Sequence, residues 1–268
     1  MPARGGPDLA GTTVMLVGVG ASGDVVGNGR ATAHAFARAG ARLALVDIDS
    51  AVLDECAREV AGIGVDHVKV AADVSRPSDV DHAVGVALDA FGRIDVLHNN
   101  VGVTQYGGLA RTPVDEYDRV MSVNARSCYL LAQAVLPGMR ERGGGVVTNV
   151  SSISSLRQLG IASPVYDMSK AAVNALTRHI AAAYGRFGVR ANSLLLGMMD
   201  TPLARAGIAK GTRPLDEVYA EYERRIPAGR LGTGDDCASV AVFLASPGGS
   251  YLNGLELLLD GGLAVTTA

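Results

Sequence analysis

The sequence predicts an α/β fold, a single domain built on a doubly wound parallel sheet of seven strands. Two observations carry that prediction. Short apolar, β-branched runs alternate along the chain with stretches whose apolar residues fall at helical spacing, and nearly every run closes on Gly, Asp, Asn or Ser. Such runs read as strands buried on both faces, and strands alternating with helices lie parallel, with helices on either side. Composition agrees: 268 residues with 48% hydrophobic content suffice for one large core.

Residues 1–10 contain Pro, Arg, Gly and Asp but no apolar core, so a flexible tail rather than a signal peptide is expected there. The first strand is 12–17. It leads into Gly18-Val19-Gly20-Ala21-Ser22-Gly23 and then Asp24-Val25-Val26-Gly27-Asn28-Gly29, after which 30–39 is helical in pattern. Strand, glycine turn and helix in that order make a phosphate cradle, because bare backbone can approach a pyrophosphate and the helix N-terminus faces it. Residues 42–46 form the second strand, closed by Asp47 and followed by Ile48. A carboxylate there can accept hydrogen bonds from adenosine ribose hydroxyls and repels a 2′-phosphate, which points to NAD rather than NADP.

A helix over 51–60, a strand over 67–71 ending at Asp73-Val74, and a helix over 77–91 with Val80, Val84 and Leu88 on one face come next. Strand 94–97 leads into His98-Asn99-Asn100-Val101-Gly102. Beyond Pro113 a long helical region passes through Asn124 to about residue 142, with a break expected near Pro137-Gly138. The fifth strand is 145–150, a helix runs from Val165 onward, and the sixth strand, 189–196, ends at Gly197. Residues 202–230, rich in charge, Pro and Gly, form an excursion expected to act as a substrate lid. A helix over 235–244 and a last strand over 255–259 precede Asp260-Gly261-Gly262. Gly18, Asp47, Asp73, Asn100, Ser152 and Gly197 all fall at carboxyl ends of strands, where such sheets bind ligands, so one common site is expected.

Charge and composition exclude several classes. A net charge of −3 without a Lys/Arg tract leaves no electrostatic footprint for nucleic acid. No apolar run reaches the roughly 20 residues of a membrane helix. Cys56, Cys128 and Cys237 lie far apart in helical segments and read as small buried hydrophobes, so a reducing, cytoplasmic setting is expected. His34, His67, His82, His98 and His179 show no ligand spacing, and no metal is expected.

The chemical signal is concentrated between Ser152 and Lys170. With 165 onward helical, Tyr166 and Lys170 share a face. A neighbouring ammonium favours the phenolate and is expected to bring the tyrosine from about 10 toward the range where protons exchange at neutral pH. Ser152, at the end of an apolar run, is placed to donate to the same substrate oxygen. A bare Tyr-x-x-x-Lys pattern also arises by chance on surfaces, so its weight comes from the rest of the chain.

Taken in order, these pieces resemble the short-chain dehydrogenase/reductase family over nearly the whole chain, from about residue 12 to 262. They are Gly29-Arg30-Ala31-Thr32-Ala33, Asp73-Val74, Asn99-Asn100-Val101-Gly102, Asn124, Ser152, Tyr166-x-x-x-Lys170, Gly197 with Thr201-Pro202, and Asp260-Gly261-Gly262. The resemblance implies a Rossmann-type domain and an NAD-dependent oxidoreductase that moves a hydride between nicotinamide and a secondary alcohol or ketone. Tyr166 would be the general acid/base. Lys170 would lower its pKa and bind the nicotinamide ribose, Ser152 would polarise the substrate oxygen, and Asn124 would hold a proton-relay water. Gly18, Gly27 and Gly29 would border the pyrophosphate, Asp47 and Ile48 the adenosine ribose, and Asp73 and Val74 the adenine. Asn100 and Gly102 would lie near the adenine-side ribose; Gly197, Met199 and Thr201 are further cofactor contacts, Thr201 at the carboxamide or phosphate. A homotetramer is likewise implied by the resemblance alone.

The chain departs from the family pattern at four places. Gly18 to Gly29 spans eleven steps, about five more than Gly-x-x-x-Gly-x-Gly allows. Aligning Gly27-Asn28-Gly29 with its last two glycines restores the usual distance to Asp47, and the extra residues around Asp24 are expected to bulge outward. Val17 stands where Thr is common, Val101 where Ala is, and Leu196 where Pro is.

Other readings account for some of the same residues. A catalytically silent NAD-binding sensor or scaffold predicts damage to Ser152, Tyr166, Lys170 or Asn124, and all four are present. A nucleotide-sugar epimerase or dehydratase shares the Tyr-Lys device but usually carries a larger C-terminal domain. A P-loop hydrolase needs Lys and Ser/Thr after its glycines, which are missing. The expected pocket mouth comprises Thr104, Gln105, Tyr106, Ser154, Leu156, Arg157, Met198, Met199 and Leu203, with Ser154, Arg157 and Met198 as candidate substrate contacts. That mix fits a cyclic or aryl secondary alcohol, a polyol or a β-hydroxyacyl compound alike.

Overall fold

The computed structural model describes residues 7–20, 25–158, 162–209 and 213–266. At its centre is a seven-stranded sheet in the order β3-β2-β1-β4-β5-β6-β7. The strands are β1 (Thr13–Val17), β2 (Arg42–Asp47), β3 (His67–Ala71), β4 (Val96–Asn99), β5 (Gly145–Ser152), β6 (Val189–Leu196) and β7 (Glu256–Leu259). Every pairing is parallel. Chain order reverses between β1 and β4, and a crevice opens beyond their carboxyl ends. This is a single Rossmann-type domain.

The two faces of the sheet follow from the two-residue period of a strand. In β1, Val14 and Leu16 join one core with Phe36 of α1 (Asn28–Arg38), Leu53 and Val60 of α2 (Ser50–Ile63), and Val242 of α9 (Gly234–Ala245). Met15 and Val17 point the other way, against Val80 and Val84 of α3 (Pro77–Phe91), Leu136 and Met139 of α5 (Ser127–Glu141), and Ile180 of α6 (Pro164–Tyr184). Each fully buried aliphatic side chain contributes about 1.5–3 kcal/mol, so the sheet is held equally from both sides.

Helix ends are written in the sequence. Asp49 caps α2 by accepting from the amides of Ala51 and Val52, and Gly64 ends that helix in the left-handed region. Pro77 opens α3 and Gly92 closes it in the same way. Thr233 and Asp236 form a reciprocal capping box at the start of α9.

Three boundaries differ from the sequence reading. The helical region after Pro113 is α4 (Val114–Met121) followed by α5, and the irregularity between them is a π-turn over Ser122–Arg126. Pro137 sits inside a continuous α5, where burial of Val135, Leu136 and Met139 outweighs one missing hydrogen bond. Strand β4 begins two residues late, because Ile94 precedes the pairing with β1. The packed chain also reaches back into the expected tail: Leu9 is buried, and its amide donates to Ala39 O at 2.7 Å. The described residues of the excursion over 202–230 form two helices, α7 (Pro202–Ile208) and α8 (Leu215–Arg225). Its ends are pinned together by an amide of Gly232 on Met198 O and an amide of Asp200 on Gly232 O. Among the described residues no helix is long and apolar enough to cross a membrane.

Candidate active site

A cavity of about 1400 Å³ runs along the carboxyl edge of the sheet. Gly18, Gly27, Gly29, Asp47, Ile48, Asp73, Val74, Asn100 and Gly102 line one end. Ser152, Ser154, Tyr166, Lys170, Gly197, Met198, Met199 and Thr201 line the remainder.

At the β1 end the wall is backbone. Gly18 has φ +85°, and a Cβ there would meet the Val101 amide nitrogen at 2.8 Å. A Cβ on Gly29 would overlap the Gly18 carbonyl oxygen, which also accepts from Asn100 Nδ2 at 2.7 Å. Only glycine permits this approach of α1 to β1 and β4. Gly20, at φ +82°, also lines the cavity, and its amide donates to Asp47 Oδ2 at 3.2 Å. The sequence reading passed over Gly20 because the alignment favoured Gly27 and Gly29; its place in Gly18-x-Gly20 was the signal. The expected outward bulge around Asp24 lies outside the described residues. Asp47 accepts from Asp49 N through Oδ1 at 3.1 Å, so the loop fixes both carboxylate oxygens at the cavity wall. Arg76, which lines a neighbouring hollow with Ile48 and Asp73, is paired with Asp73 at 3.3 Å.

A dinucleotide fits these residues: glycines leave room for phosphates, the N-terminus of α1 faces that room, and a fixed carboxylate stands where a ribose would lie. Gly102 extends the same logic, since a Cβ there would come within 3.2 Å of Lys170 Nζ.

At the other end, α6 carries Tyr166 and Lys170 as one-turn neighbours. Lys170 is buried, its Nζ lies 5.7 Å from the Tyr166 ring centroid, and it donates to Val150 O at 2.9 Å. Ser152 Oγ accepts from the Ser154 amide at 3.2 Å. The expected lowering of the phenol is not found. Burial pushes Tyr166 up to about 12, and the interaction with Ser152 opposes that shift without reversing it. Burial also lowers Lys170, whose ammonium is turned to the Val150 carbonyl rather than to the phenol. Tyr166 is nevertheless half-exposed, and that exposure is into the cavity.

Asn124 does not line the cavity. It is buried in the π-turn, accepting from the Val103 amide at 2.8 Å and donating to Val103 O at 2.9 Å and Ser169 Oγ at 3.0 Å. π-turns concentrate at functional sites, and this one fixes the segment after Gly102 against the helix of Lys170. Three residues of the expected pocket mouth also lie elsewhere. Arg157 is directed to Thr266 O at 3.3 Å, and Leu156 is exposed outside the cavity. Gln105 is buried, donating to Gly107 O and Thr112 Oγ1 at 2.9 Å each. A loop after a strand end can turn either way, and sequence alone does not fix which. Conversely, Asp167, Arg119, Arg213, Glu221, Tyr222 and Arg225 line the cavity and were not anticipated. All but Asp167 and Arg119 come from the lid.

The three cysteines are free and buried, and burial raises each thiol, Cys56 and Cys237 to about 12. None is a nucleophile at neutral pH.

A parallel sheet with its chain reversal at β1/β4, a glycine-walled crevice and a Ser-Tyr-Lys set in one cavity narrow the possibilities, and sequence comparison decides between them. A family model described as enoyl-(acyl carrier protein) reductase, within the short-chain dehydrogenases, matches residues 24–264. The chain belongs to the short-chain dehydrogenase/reductase family. It is 38% identical over 242 residues to 2-(R)-hydroxypropyl-CoM dehydrogenase of Xanthobacter autotrophicus, covering 88% of this chain and 93% of that one. It is 35% identical over 260 residues to L-rhamnose 1-dehydrogenase (NAD(P)(+)) of a Sphingomonas species, covering 96% and 98%. The crystal structure of levodione reductase superposes with a TM-score of 0.90 at 32% identity, covering 96% and 99%. The protein is therefore an oxidoreductase of this family, whose members use nicotinamide cofactors.

Proposed function

We propose that this short-chain dehydrogenase/reductase is NAD(H)-dependent and interconverts a secondary alcohol and a ketone, with Tyr166 as general acid/base. The observation that carries the reading is the convergence of Ser152, Tyr166 and Lys170 with Asp47 on one cavity large enough for a dinucleotide and a substrate together. When bound, the nicotinamide supplies a hydride donor or acceptor. The chain's own residues do the rest. Ser152 holds the substrate oxygen, and Tyr166 gives or takes its proton. Lys170, with Gly102 leaving room beside its ammonium, is the cofactor ribose contact. Asn124 keeps the intervening backbone in place through Val103.

Asp47 favours NAD: its carboxylate repels a 2′-phosphate, and the neighbouring Arg76 is engaged by Asp73. The printed name of the Sphingomonas relative admits both cofactors, so both belong in the assay. A phenol lying near 12 before cofactor binds is protonated at neutral pH, ready to donate in ketone reduction. Alcohol oxidation needs it deprotonated, so oxidation gains rate as pH rises and reduction loses it. A cytoplasmic homotetramer completes the reading. Tyr117 and Tyr129 on α4 and α5 are exposed aromatics that suit subunit contacts, and light scattering tests the assembly.

The deciding experiment is a spectrophotometric panel of secondary alcohols and ketones with NAD(H) and NADP(H), run beside Tyr166→Phe. Turnover linked to NAD(H) is expected, reduced roughly 10²- to 10⁴-fold in the variant. Wild-type rates in the phenylalanine variant would remove Tyr166 from the chemistry.

A further inference from the structure

We infer that Arg30 is a positioning residue for the cofactor: acting through α2, it holds the Asp47 carboxylate where the adenosine ribose binds. The inference rests on the reading of Asp47 as the group that selects NAD, and names the residue on which that selection depends.

The contacts form a closed circuit. Arg30, next to Gly29 in the first turn of α1, reaches across to three successive turns of α2. Its guanidinium donates to Val52 O at 3.5 Å, Glu55 Oε2 at 3.0 Å and Glu59 Oε1 at 2.9 Å. The start of α2 is capped by Asp49, whose Oδ1 accepts from the amides of Ala51 and Val52 at 2.9 and 3.3 Å. The Asp49 amide in turn donates to Asp47 Oδ1 at 3.1 Å, and the Gly20 amide to Asp47 Oδ2 at 3.2 Å. Gly20 brings the circuit back to its origin, since a Cβ there would lie 3.9 Å from the Arg30 amide nitrogen. A shift of α2 against α1 is therefore passed to the Asp47 carboxylate through the Asp49 cap alone.

Stability does not account for Arg30. Its side chain is only 5% exposed, and a buried ion pair gains little over apolar packing of the same volume. A cation in the first turn also opposes the helix dipole. What the guanidinium fork supplies is geometry: two carboxylates one turn apart, gripped together, set both the height and the rotation of α2 against α1. His34, one turn further along α1, adds a contact between its Nε2 and Glu59 Oε2 at 2.8 Å.

Nor does Arg30 meet the cofactor space itself. It does not line the cavity, whereas its neighbours Asn28 and Gly29 do, as do Asp47 and Ile48 at the other side of the circuit. Its influence on a bound dinucleotide passes through Asp47.

The test is the ratio of kcat/KM for NAD to that for NADP in Arg30→Met, Asp47→Ala and the double variant. Affinity for ADP-ribose, measured by calorimetry, gives a readout free of turnover. Arg30→Met should relax the ratio roughly 3- to 10-fold, the effect of one weakened hydrogen-bonded contact, with ADP-ribose affinity falling alongside. KM for the alcohol and kcat at saturating cofactor should stay unchanged, because Ser152, Tyr166 and Lys170 lie off the circuit. Arg30→Lys reaches one carboxylate without forking both and should restore part of the ratio. In the Asp47→Ala background the Arg30 change should add nothing, since the group it positions is gone. Where Arg30→Met does not fold, Glu55→Gln/Glu59→Gln, at side chains 36% and 38% exposed, loosens the same circuit from α2. An unchanged ratio in Arg30→Met beside a relaxed one in Asp47→Ala, or additive losses in the double variant, overturns the inference. An unchanged ratio in Asp47→Ala itself ends the reading of Asp47 as the selecting group, and the positioning role falls with it.

Discussion

Around Gly18 and Gly29 the cavity wall is backbone pressed on backbone, with a Cβ-sized clearance removed at each contact. At the lid the wall is made of long side chains from α8, most of them half-exposed and held by ion pairs. The first end can change only by moving a strand or a helix. The second can change by exchanging one side chain. A fold built this way fixes the cofactor by steric necessity and leaves the substrate to residues that contribute little to stability. The conformational cost of the glycine loop is repaid by the core beneath it, whereas each lid ion pair lies in solvent and is worth little to folding.

That contrast is broken most directly at Gly29. Gly29→Ala forces a methyl group into the Gly18 carbonyl and the Asn100 amide, so α1 must lift from β1. An overpacking cost of about 3 kcal/mol is expected in urea unfolding, with cofactor affinity falling by about two orders of magnitude. Gly85→Ala is the matching control, because nothing lies within 4 Å of its Cβ position in the middle of α3. It should stabilise by roughly 0.5–1 kcal/mol. Equal effects at the two sites would show that the clearance at Gly29 is not what the loop depends on.

The buried half also carries a pH liability that the lid does not share. His98 on β4 is fully buried against Phe36 of α1 at 6.0 Å between ring centroids, and neither ring nitrogen has a partner among the described residues. Burial holds it down at about 4. The unfolded chain binds that proton near 6.5, so the contribution to stability is complete above that pH and is lost as pH falls through 4. The linkage amounts to about 3 kcal/mol. His98→Leu should flatten the acid limb of the stability curve between pH 6.5 and 4; an unchanged limb would assign acid unfolding to carboxylates.

These two halves were not equally legible in the sequence. The alternation of parallel strands with helices, the site at the carboxyl edge, and Gly18, Gly27 and Gly29 of the crevice could be read because each rests on a local pattern: a continuous apolar run in Val14 to Val17, a helical stretch after the glycines, a carboxylate at the close of β2. Side-chain direction on loops could not. Arg157 and Gln105 follow strand ends as Ser154 and Tyr106 do, yet two turn away and two turn in, a choice made by contacts with Thr266 and Thr112 that are distant in sequence or local to one turn. The π-turn at Asn124 was hidden for a related reason, since its cause is a bond to Val103 twenty-one residues away. Proximity of Tyr166 and Lys170 was legible from spacing, but its electrostatic outcome was not, because that depends on how deeply both are buried.

The cofactor half offers one position where a side chain, rather than backbone, decides. Asp47→Ala removes the carboxylate that Gly20 and Asp49 orient while leaving the glycine wall intact. Discrimination against NADP, measured as a ratio of kcat/KM values, should relax by roughly tenfold, one lost charged contact. A ratio that stays where it was would move cofactor choice to another residue.

The smallest effect is expected where the lid meets the sheet. Asp200, between the cavity residues Met199 and Thr201, accepts from Arg205 Nε and Nη2 at 2.7 and 2.8 Å and from the Tyr219 hydroxyl at 2.8 Å. One carboxylate thus ties α7 and α8 to the end of β6. Its pKa is held down chiefly by Arg205, and burial with the Asp200 hydrogen bond pushes Tyr219 up to about 12, so the tie is intact across the neutral range. Asp200→Asn keeps the shape and removes the charge. Because the side chains of the pair are 34% and 28% exposed, water still screens it in part, so the Tm should move little, while KM for the substrate alcohol rises about 2- to 5-fold through a looser lid and KM for the cofactor rises less. A change of equal size in both constants would mean that the lid and the crevice are one mechanical unit, and the division between a steric half and a side-chain half would fail at that joint.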